Sequence, residues 1–322
     1  MAPEEKRCIF CDGPLGDALF ADIRDRLGLL EGTWNFLRCR DCGSAVLDPM
    51  PSPEELLAAY PEAYAMDQAP QTHWVHRFLY QLETKFFYEP LYRASVQQVI
   101  RNTGLREGRL LDVGGGTGKR TVFFQRAGFE AWVLEPDERP LKVAREKFNL
   151  GTLWGTIEEI DGPPESWDLI TFYAVIEHLP SPQRAIQAAT RLLRPGGWVV
   201  AMVPVLDSWQ ARILGACWFQ VQEVPRHVSL PTRAGMRALF TRNGLLPQTW
   251  EGEPLLNRAG IIALSLVSSA KSDVACATTE ISSRLIRRAA GALTMIACLP
   301  LAVLEGMAGS PGAAVFFARK PA

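Results

Sequence analysis

The stretch LLDVGGGTGKR, Leu110–Arg120, sets Gly114, Gly115, Gly116 and Gly118 directly after a short apolar run. Glycines this close together bare the backbone to an approaching ligand and let it turn with positive φ. Spacing separates the candidate ligands. A phosphate-cradling P-loop needs glycine where Val113 stands and Ser or Thr where Arg120 stands. The dinucleotide fingerprint needs a third glycine at Lys119 or at Thr121, depending on where it starts. What stands here is D-x-G-x-G-x-G over Asp112, Gly114, Gly116 and Gly118.

A second chemistry lies near the N-terminus. Cys8 with Cys11, and Cys39 with Cys42, form two C-x-x-C pairs, each bringing two thiolates from one tight turn to one ion. Two such turns complete the tetrahedron that Zn²⁺ takes, a closed structural site with no position left for a catalytic water. Gly43 suits the turn after the second pair. Cys217, Cys276 and Cys298 stand alone among apolar neighbours and read as core residues rather than nucleophiles.

These groups need elements to hold them. Residues 1–50 read as a zinc ribbon and residues 51–105 as a helical connector, in which Ser52 is an expected N-cap with Glu55 three residues on. From His73 to Ile100 apolar residues recur at near-helical intervals (Trp74, Phe78, Leu82, Phe86, Leu91, Val99), with a break or kink expected at Pro90. That aromatic stripe reads as packing on the next domain, with a pocket lining as the other reading. From residue 106 strands and helices alternate as an α/β, doubly wound parallel sheet requires. RLLDV, EAWVL, a weaker TLW, WDLITF and GWVVAMV are its first five strands. Ligands in such sheets bind outside the carboxyl ends of the strands, where the glycine stretch lies.

At this point the chain resembles the class I S-adenosylmethionine-dependent methyltransferases. The resemblance rests on D-x-G-x-G-x-G, on Glu135 in WVLEPDE, on WDLITFYAVIEHLPSP and on RLLRPGGWVVAMVP, over roughly residues 107–205. It implies a Rossmann-like, seven-stranded sheet and S-adenosylmethionine as cofactor. Gly114, Gly116 and Gly118 would let the backbone approach the cofactor's amino-acid end, and Asp112 would hold the loop and favour the cofactor's ammonium. Glu135 would accept hydrogen bonds from both ribose hydroxyls, a bidentate task for a carboxylate. Thr156 and Ile157, in GTIEEI, would contact the adenine edge. The C-x-x-C pairs followed by a P-x-P connector also resemble a bacterial, type 23-like branch of the family that carries a zinc ribbon.

Methyl transfer needs alignment, and a base where the nucleophile is a hydroxyl. His178, just past the fourth strand, is the first candidate base and His227 the second; each has a loop-organising role as its other reading. Glu177 would orient His178 or cap the helix that follows. Some quinone O-methyltransferases that the chain resembles hold a divalent metal on Glu-x-x-Glu-His at this place. Here Ala174 replaces the first acid, so no catalytic metal is expected.

LPQTWEG reads as the sixth strand and AAVFFARK as the last, inserted antiparallel to close the sheet. Between them an insert at about 255–308 includes the uncharged run Ala289–Leu304, 16 residues long and interrupted by Pro300. That is short of the ~20 residues needed to span a bilayer. A buried lid, and an interfacial helix with Arg284, Arg287 and Arg288 at the headgroups, are the two readings.

With 322 residues, 48% apolar content and a formal net charge of −1, the chain has no general pull toward nucleic acid. MAPEEKRC has no apolar signal segment, so the cytoplasm is the expected compartment, with peripheral contact at the inner membrane face as an open addition. The expected activity is methylation, most simply at oxygen, of a small-molecule, glycan or lipid-linked acceptor. An RNA methyltransferase gripping RNA through the ribbon is the alternative; against it Asp12, Asp17, Asp22, Asp25 and Glu31 offset the ribbon's arginines. A non-catalytic cofactor-binding protein is a third reading.

Overall fold

The computed structural model describes residues 5–60, 74–160, 162–268 and 281–322. Its main sheet has seven strands: β4 (Gly108–Val113), β5 (Phe129–Glu135), β6 (Gly151–Trp154), β7 (Trp167–Tyr173), β8 (Leu193–Pro204), β10 (Leu246–Gly252) and β11 (Ala313–Arg319). They lie in the order β10-β11-β8-β7-β4-β5-β6. β4 through β8 run parallel, and β11 slots antiparallel between β8 and β10, as the sequence leads one to expect. Strand order reverses between β4 and β7, which opens a crevice at their carboxyl ends.

The central strands are apolar on both faces because helices cover both faces. Leu111, Ile170, Phe172, Val199 and Ala201 face one buried cluster; Leu110, Leu169, Val200 and Phe317 face the other. Helix Pro182–Leu192 shows how the sequence directs this packing. Proline begins its first turn, and Ala185, Ile186, Ala189 and Leu192 make one buried stripe.

Of two chain punctuations, the first behaves as expected and the second does not. Ser52 caps helix Pro53–Ala58 in a full capping box with Glu55. Pro90, however, does not break its helix: the turn before it, Thr84–Tyr88, widens to π geometry and the next helix, Glu89–Thr103, starts across the proline. The wider turn makes room for the ring and for the carbonyl that proline leaves unbonded. Nor does the aromatic stripe pack throughout. Leu91 and Val99 are buried, whereas Trp74, Phe78 and Phe86 are exposed.

The N-terminal sheet is antiparallel: β1 (Leu15–Ile23), β2 (Trp34–Cys39) and β3 (Ala45–Asp48), with a fourth strand, β9 (Ser229–Leu230), taken from the distant segment beyond the main sheet's β8. Trp34, Phe36, Ala45 and Leu47 share one core cluster with Trp218, Val221, Val224 and Val228. The ribbon is therefore built into the rest of the molecule.

The insert forms helices Leu255–Ser268 and Ile281–Met307, which pack through Ala259, Ile262, Ala263, Cys298 and Ala302. Pro300 lies inside the second helix, so the expected interruption of Ala289–Leu304 does not occur. Leu293, Ile296, Leu301, Leu304 and Met307 remain exposed. Among the described residues no helix is long and apolar enough to cross a membrane. The side chains of Arg284, Arg287 and Arg288, and Cys276 altogether, lie outside the described residues.

Candidate functional site

The glycine loop follows β4 and leads into helix Thr121–Arg126. Gly114, Gly116 and Gly118 have φ of +65°, +54° and +75°, a region that disfavours any side chain. Their surroundings differ. A Cβ at Gly114 would lie 2.7 Å from Val175, and one at Gly118 2.5 Å from Leu150. At Gly116 a Cβ would meet nothing within 4 Å. The outer two glycines thus serve close packing, and the middle one leaves open space over the crevice.

Glu135, the last residue of β5, accepts a hydrogen bond from the Gly116 N–H at 3.0 Å. Burial raises its carboxyl above the usual range, and the loop amide pulls back toward the charged form. One strand-end carboxylate therefore faces the open part of the loop. Asp112 is placed otherwise: it is buried, its Oδ2 accepts from the Thr121 hydroxyl at 2.6 Å and its Oδ1 from the Thr171 hydroxyl at 2.7 Å. Each oxygen thus takes one threonine hydroxyl, and these bonds perform the expected task of holding the loop. Thr156 gives its hydroxyl to Glu159 at 3.0 Å, and Ile157 is buried in the core cluster.

Glu177, His178 and His227 come together although 48 positions separate His178 from Arg226, the residue before His227. The two imidazole centroids are 4.7 Å apart. His178 Nδ1 lies 2.9 Å from the Arg226 carbonyl and 2.9 Å from the Tyr60 hydroxyl; His227 Nδ1 lies 2.9 Å from the Gln220 carbonyl. A carbonyl only accepts, so these bonds assign the proton to Nδ1 in both rings and leave Nε2 with its lone pair. Burial lowers both histidines, His178 to about 3 with help from His227's charge, and His227 to about 4. Glu177 is buried, its Oε2 has no partner among the described residues, and burial raises it to about 8. One ligand-capable atom from each of the three lies within 4.8 Å of the others.

A protonated Glu177 has a consequence for stability. Its unfolded counterpart ionises near pH ~4.3, so between there and about pH 8 the folded chain holds a proton that the unfolded chain has lost. Stability from this group is highest at low pH and falls as pH rises, by about 1.4 kcal/mol per pH unit at most. Glu177→Gln is expected to gain stability over the parent between pH 5 and pH 8. Urea titrations at both pH values check this; an equal difference at both would remove the raised carboxyl.

A buried ion network holds this cluster against the ribbon. Arg226 is fully buried; it bonds Asp25 at 2.9 Å, Glu223 at 3.2 Å and the Ala59 carbonyl at 3.2 Å. Glu223 is also gripped by Arg26. Asp25, counted from sequence among the acids that offset the ribbon's arginines, is thus an internal partner of Arg226. No local pattern announces Tyr60, Asp25 or Arg226 as neighbours of a histidine pair.

At the ribbon's other end Cys8 and Cys42 Sγ are 3.7 Å apart, and Cys11 and Cys39 Sγ 3.4 Å. Four sulfurs on Zn–S bonds of ~2.3 Å sit ~3.8 Å apart, so the cluster has the size a tetrahedral ion needs. The Gly13 and Cys42 amides donate to the Cys11 and Cys39 sulfurs. The Cys8 side chain, ahead of the Ser44 hydroxyl, pulls Cys42 down to about 5 against its burial, whereas burial pushes Cys11 up to about 11. Gly43 turns there at φ +74°.

The model of a family described as "Methyltransferase domain" matches residues 85–247. A 2-methyl-6-phytyl-1,4-hydroquinone methyltransferase of Oryza sativa subsp. japonica is 29% identical over 52% of this chain and 48% of its own length. A ubiquinone biosynthesis O-methyltransferase of Pectobacterium carotovorum is 29% identical over 43% of this chain and 63% of its own. The chain thus spans less than two thirds of these relatives. Among solved structures, a geranyl diphosphate C-methyltransferase from Streptomyces coelicolor A3(2) matches with a TM-score of 0.50 at 13% identity, over 78% of this chain and 85% of that one. At that identity the match speaks to the fold alone.

Proposed function

Because the chain belongs to the methyltransferase-domain family, we propose that it transfers the methyl group of S-adenosylmethionine to an oxygen of a small-molecule acceptor. The observation that carries this is Glu135 reaching from the end of β5 to the Gly116 amide beside the open part of the loop. A carboxylate there meets the ribose of a nucleoside ligand, and the bare loop admits its amino-acid end. Asp112, Gly114 and Gly118 keep the loop in shape, and the backbone at Thr156 and Ile157 meets the adenine edge.

The bound cofactor supplies an activated sulfonium methyl. The chain's own residues align the acceptor and take its hydroxyl proton. His178 holds its proton on Nδ1, against the Arg226 carbonyl, and so presents Nε2 as the accepting atom. His227 stands ring to ring with it, and the pair takes up one proton at most, because a second would place two charges 4.7 Å apart in a buried site. Glu177 stays protonated at neutral pH and adds no negative charge that would retain it. The compact set of three favours a second reading for these side chains, a divalent cation that orients the acceptor oxygen. Manganese binding beyond the ribbon's own metal, lost in His227→Ala, separates that reading from the base.

The four cysteines are assigned a structural zinc on the size of their cluster and its amide donors. Four thiols arranged for a metal, rather than disulfides, support a reducing, cytoplasmic setting. The exposed apolar side chains of helix Ile281–Met307 support peripheral membrane contact as an addition, and a glycan or a lipid-linked precursor is the alternative acceptor.

Transfer of labelled methyl into cell lysate, separated into small-molecule, lipid, glycan, RNA and protein fractions, tests the reading. Label is expected outside the RNA and protein fractions. Glu135→Ala is expected to weaken cofactor binding about 10- to 100-fold, the loss of a charged hydrogen-bonding partner of ~1.5–3 kcal/mol. Label in RNA, or none in any fraction despite cofactor binding, would replace the proposal with the RNA or the non-catalytic alternative.

A further inference from the structure

Arg120 closes the glycine loop at the start of helix Thr121–Arg126. Among the described residues its guanidinium has no ion pair and no hydrogen bond, and its Nε is buried without a partner. It lies over the Tyr173 ring, 4.0 Å from the centroid, with the Tyr92 ring 5.4 Å away. Tyr173 is itself only 8% exposed, and its hydroxyl also lacks a partner.

Aromatic rings stabilise a guanidinium through their faces but satisfy none of its N–H groups. Most buried polar groups in folded chains are paired, so two orphans on stacked side chains call for an outside partner. The nearby acids do not fill the role. Asp112 has both oxygens on threonine hydroxyls, and Glu253 receives the side-chain amide of Asn257. Both act on this neighbourhood through charge alone.

Position tells where the partner would be. Tyr173 ends β7, and Phe172 before it pairs with Val113 at the end of β4. Arg120 therefore lies at the carboxyl ends of β4 and β7, where ligands of such sheets bind.

We propose that Arg120, with the Tyr173 hydroxyl beside it, is an oxyanion subsite that binds a carboxylate-type group of a ligand in the β4–β7 crevice. Two sources have this chemistry: the amino-acid end of S-adenosylmethionine, in which case the assignment rests on the proposed function, and an anionic acceptor.

The test uses the full, metal-loaded chain and its Arg120→Met, Arg120→Lys and Tyr173→Phe variants. Calorimetry reads S-adenosylmethionine and its decarboxylated analogue. Fluorine NMR reads 4-fluorobenzoate as a carboxylate probe, with and without S-adenosylhomocysteine. If the cofactor supplies the carboxylate, Arg120→Met weakens S-adenosylmethionine about 10- to 100-fold and leaves the decarboxylated analogue unchanged. Arg120→Lys loses less, and Tyr173→Phe, which keeps the stacked ring, loses least. If an acceptor supplies it, both cofactor forms bind Arg120→Met as they bind the parent, and fluorobenzoate binding disappears. Equal binding of all three probes by parent and Arg120→Met overturns the subsite, as does a parent that binds none of them. A parent that binds fluorobenzoate but neither cofactor form defeats the proposed function and leaves the subsite standing. Thermal melts of each variant separate lost binding from lost folding.

Discussion

Removing the metal from Cys8, Cys11, Cys39 and Cys42, or replacing Cys39 by Ser, is expected to unfold the N-terminal sheet and to disturb the histidine cluster with it. Structural zinc contributes on the order of 10–16 kcal/mol to the small modules that depend on it. In a free-standing ribbon that loss would stay local. Here β3 pairs with β9, Thr232 donates to the Cys42 carbonyl at 2.6 Å, and four ribbon side chains share a core with residues 218–228. The segment that carries Arg226 and His227 thus loses its support when the ribbon opens. Metal analysis, circular dichroism and cofactor calorimetry on parent and Cys39→Ser check this, with the exposed Cys217→Ser as control. A chelated chain that keeps its melting temperature and its histidine environment would show the four cysteines to be dispensable.

Asp25→Ala is expected to cost about 3–5 kcal/mol, because it leaves the buried Arg226 short of a counter-charge. Arg226 is fully enclosed, and after the change only Glu223 remains to it, already shared with Arg26. Asp25 also accepts from the amides of Leu27, Leu29 and Leu30, so the loop after β1 loosens as well. The pair energy is separable from that second effect by a double-mutant cycle. Arg226→Met combined with Asp25→Ala should lose less than the two single changes added together. Strict additivity in urea denaturation would mean that the two side chains are not coupled. The same variants report on His178, whose Nδ1 bond is to the carbonyl of Arg226 itself. The chain has four histidines, so nitrogen spectra of labelled protein can follow its tautomer directly.

How much of this was legible before folding depends on the range of each interaction. The loop of Gly114, Gly116 and Gly118 announces itself because positive φ is a property of single residues. Ser52 and Glu55 are three residues apart, and their capping box needs nothing else. The parallel strands are apolar on both faces, which marks them as interior strands before any helix is packed on them. Arg120 was visible only as the residue that spoils a P-loop. Its role as an unpaired cation appears once Tyr92 and Tyr173 are stacked about it.

By itself the sequence determined the parallel sheet, the glycine loop with Glu135 at the neighbouring strand end, and the four-cysteine cluster, since each is written in local pattern or in spacing within a turn. Tertiary structure alone decided that Asp112 is spoken for by two threonines, that Asp25 is an internal partner of Arg226, and that His178 meets His227 beside an unpartnered Glu177. It also decided that the ribbon borrows β9 and that Pro300 stays within a helix. The physical reason is common to these cases. Each depends on which polar group is left to pair with which once water is excluded, and that is settled by chain segments brought together from far apart, not by neighbours in sequence.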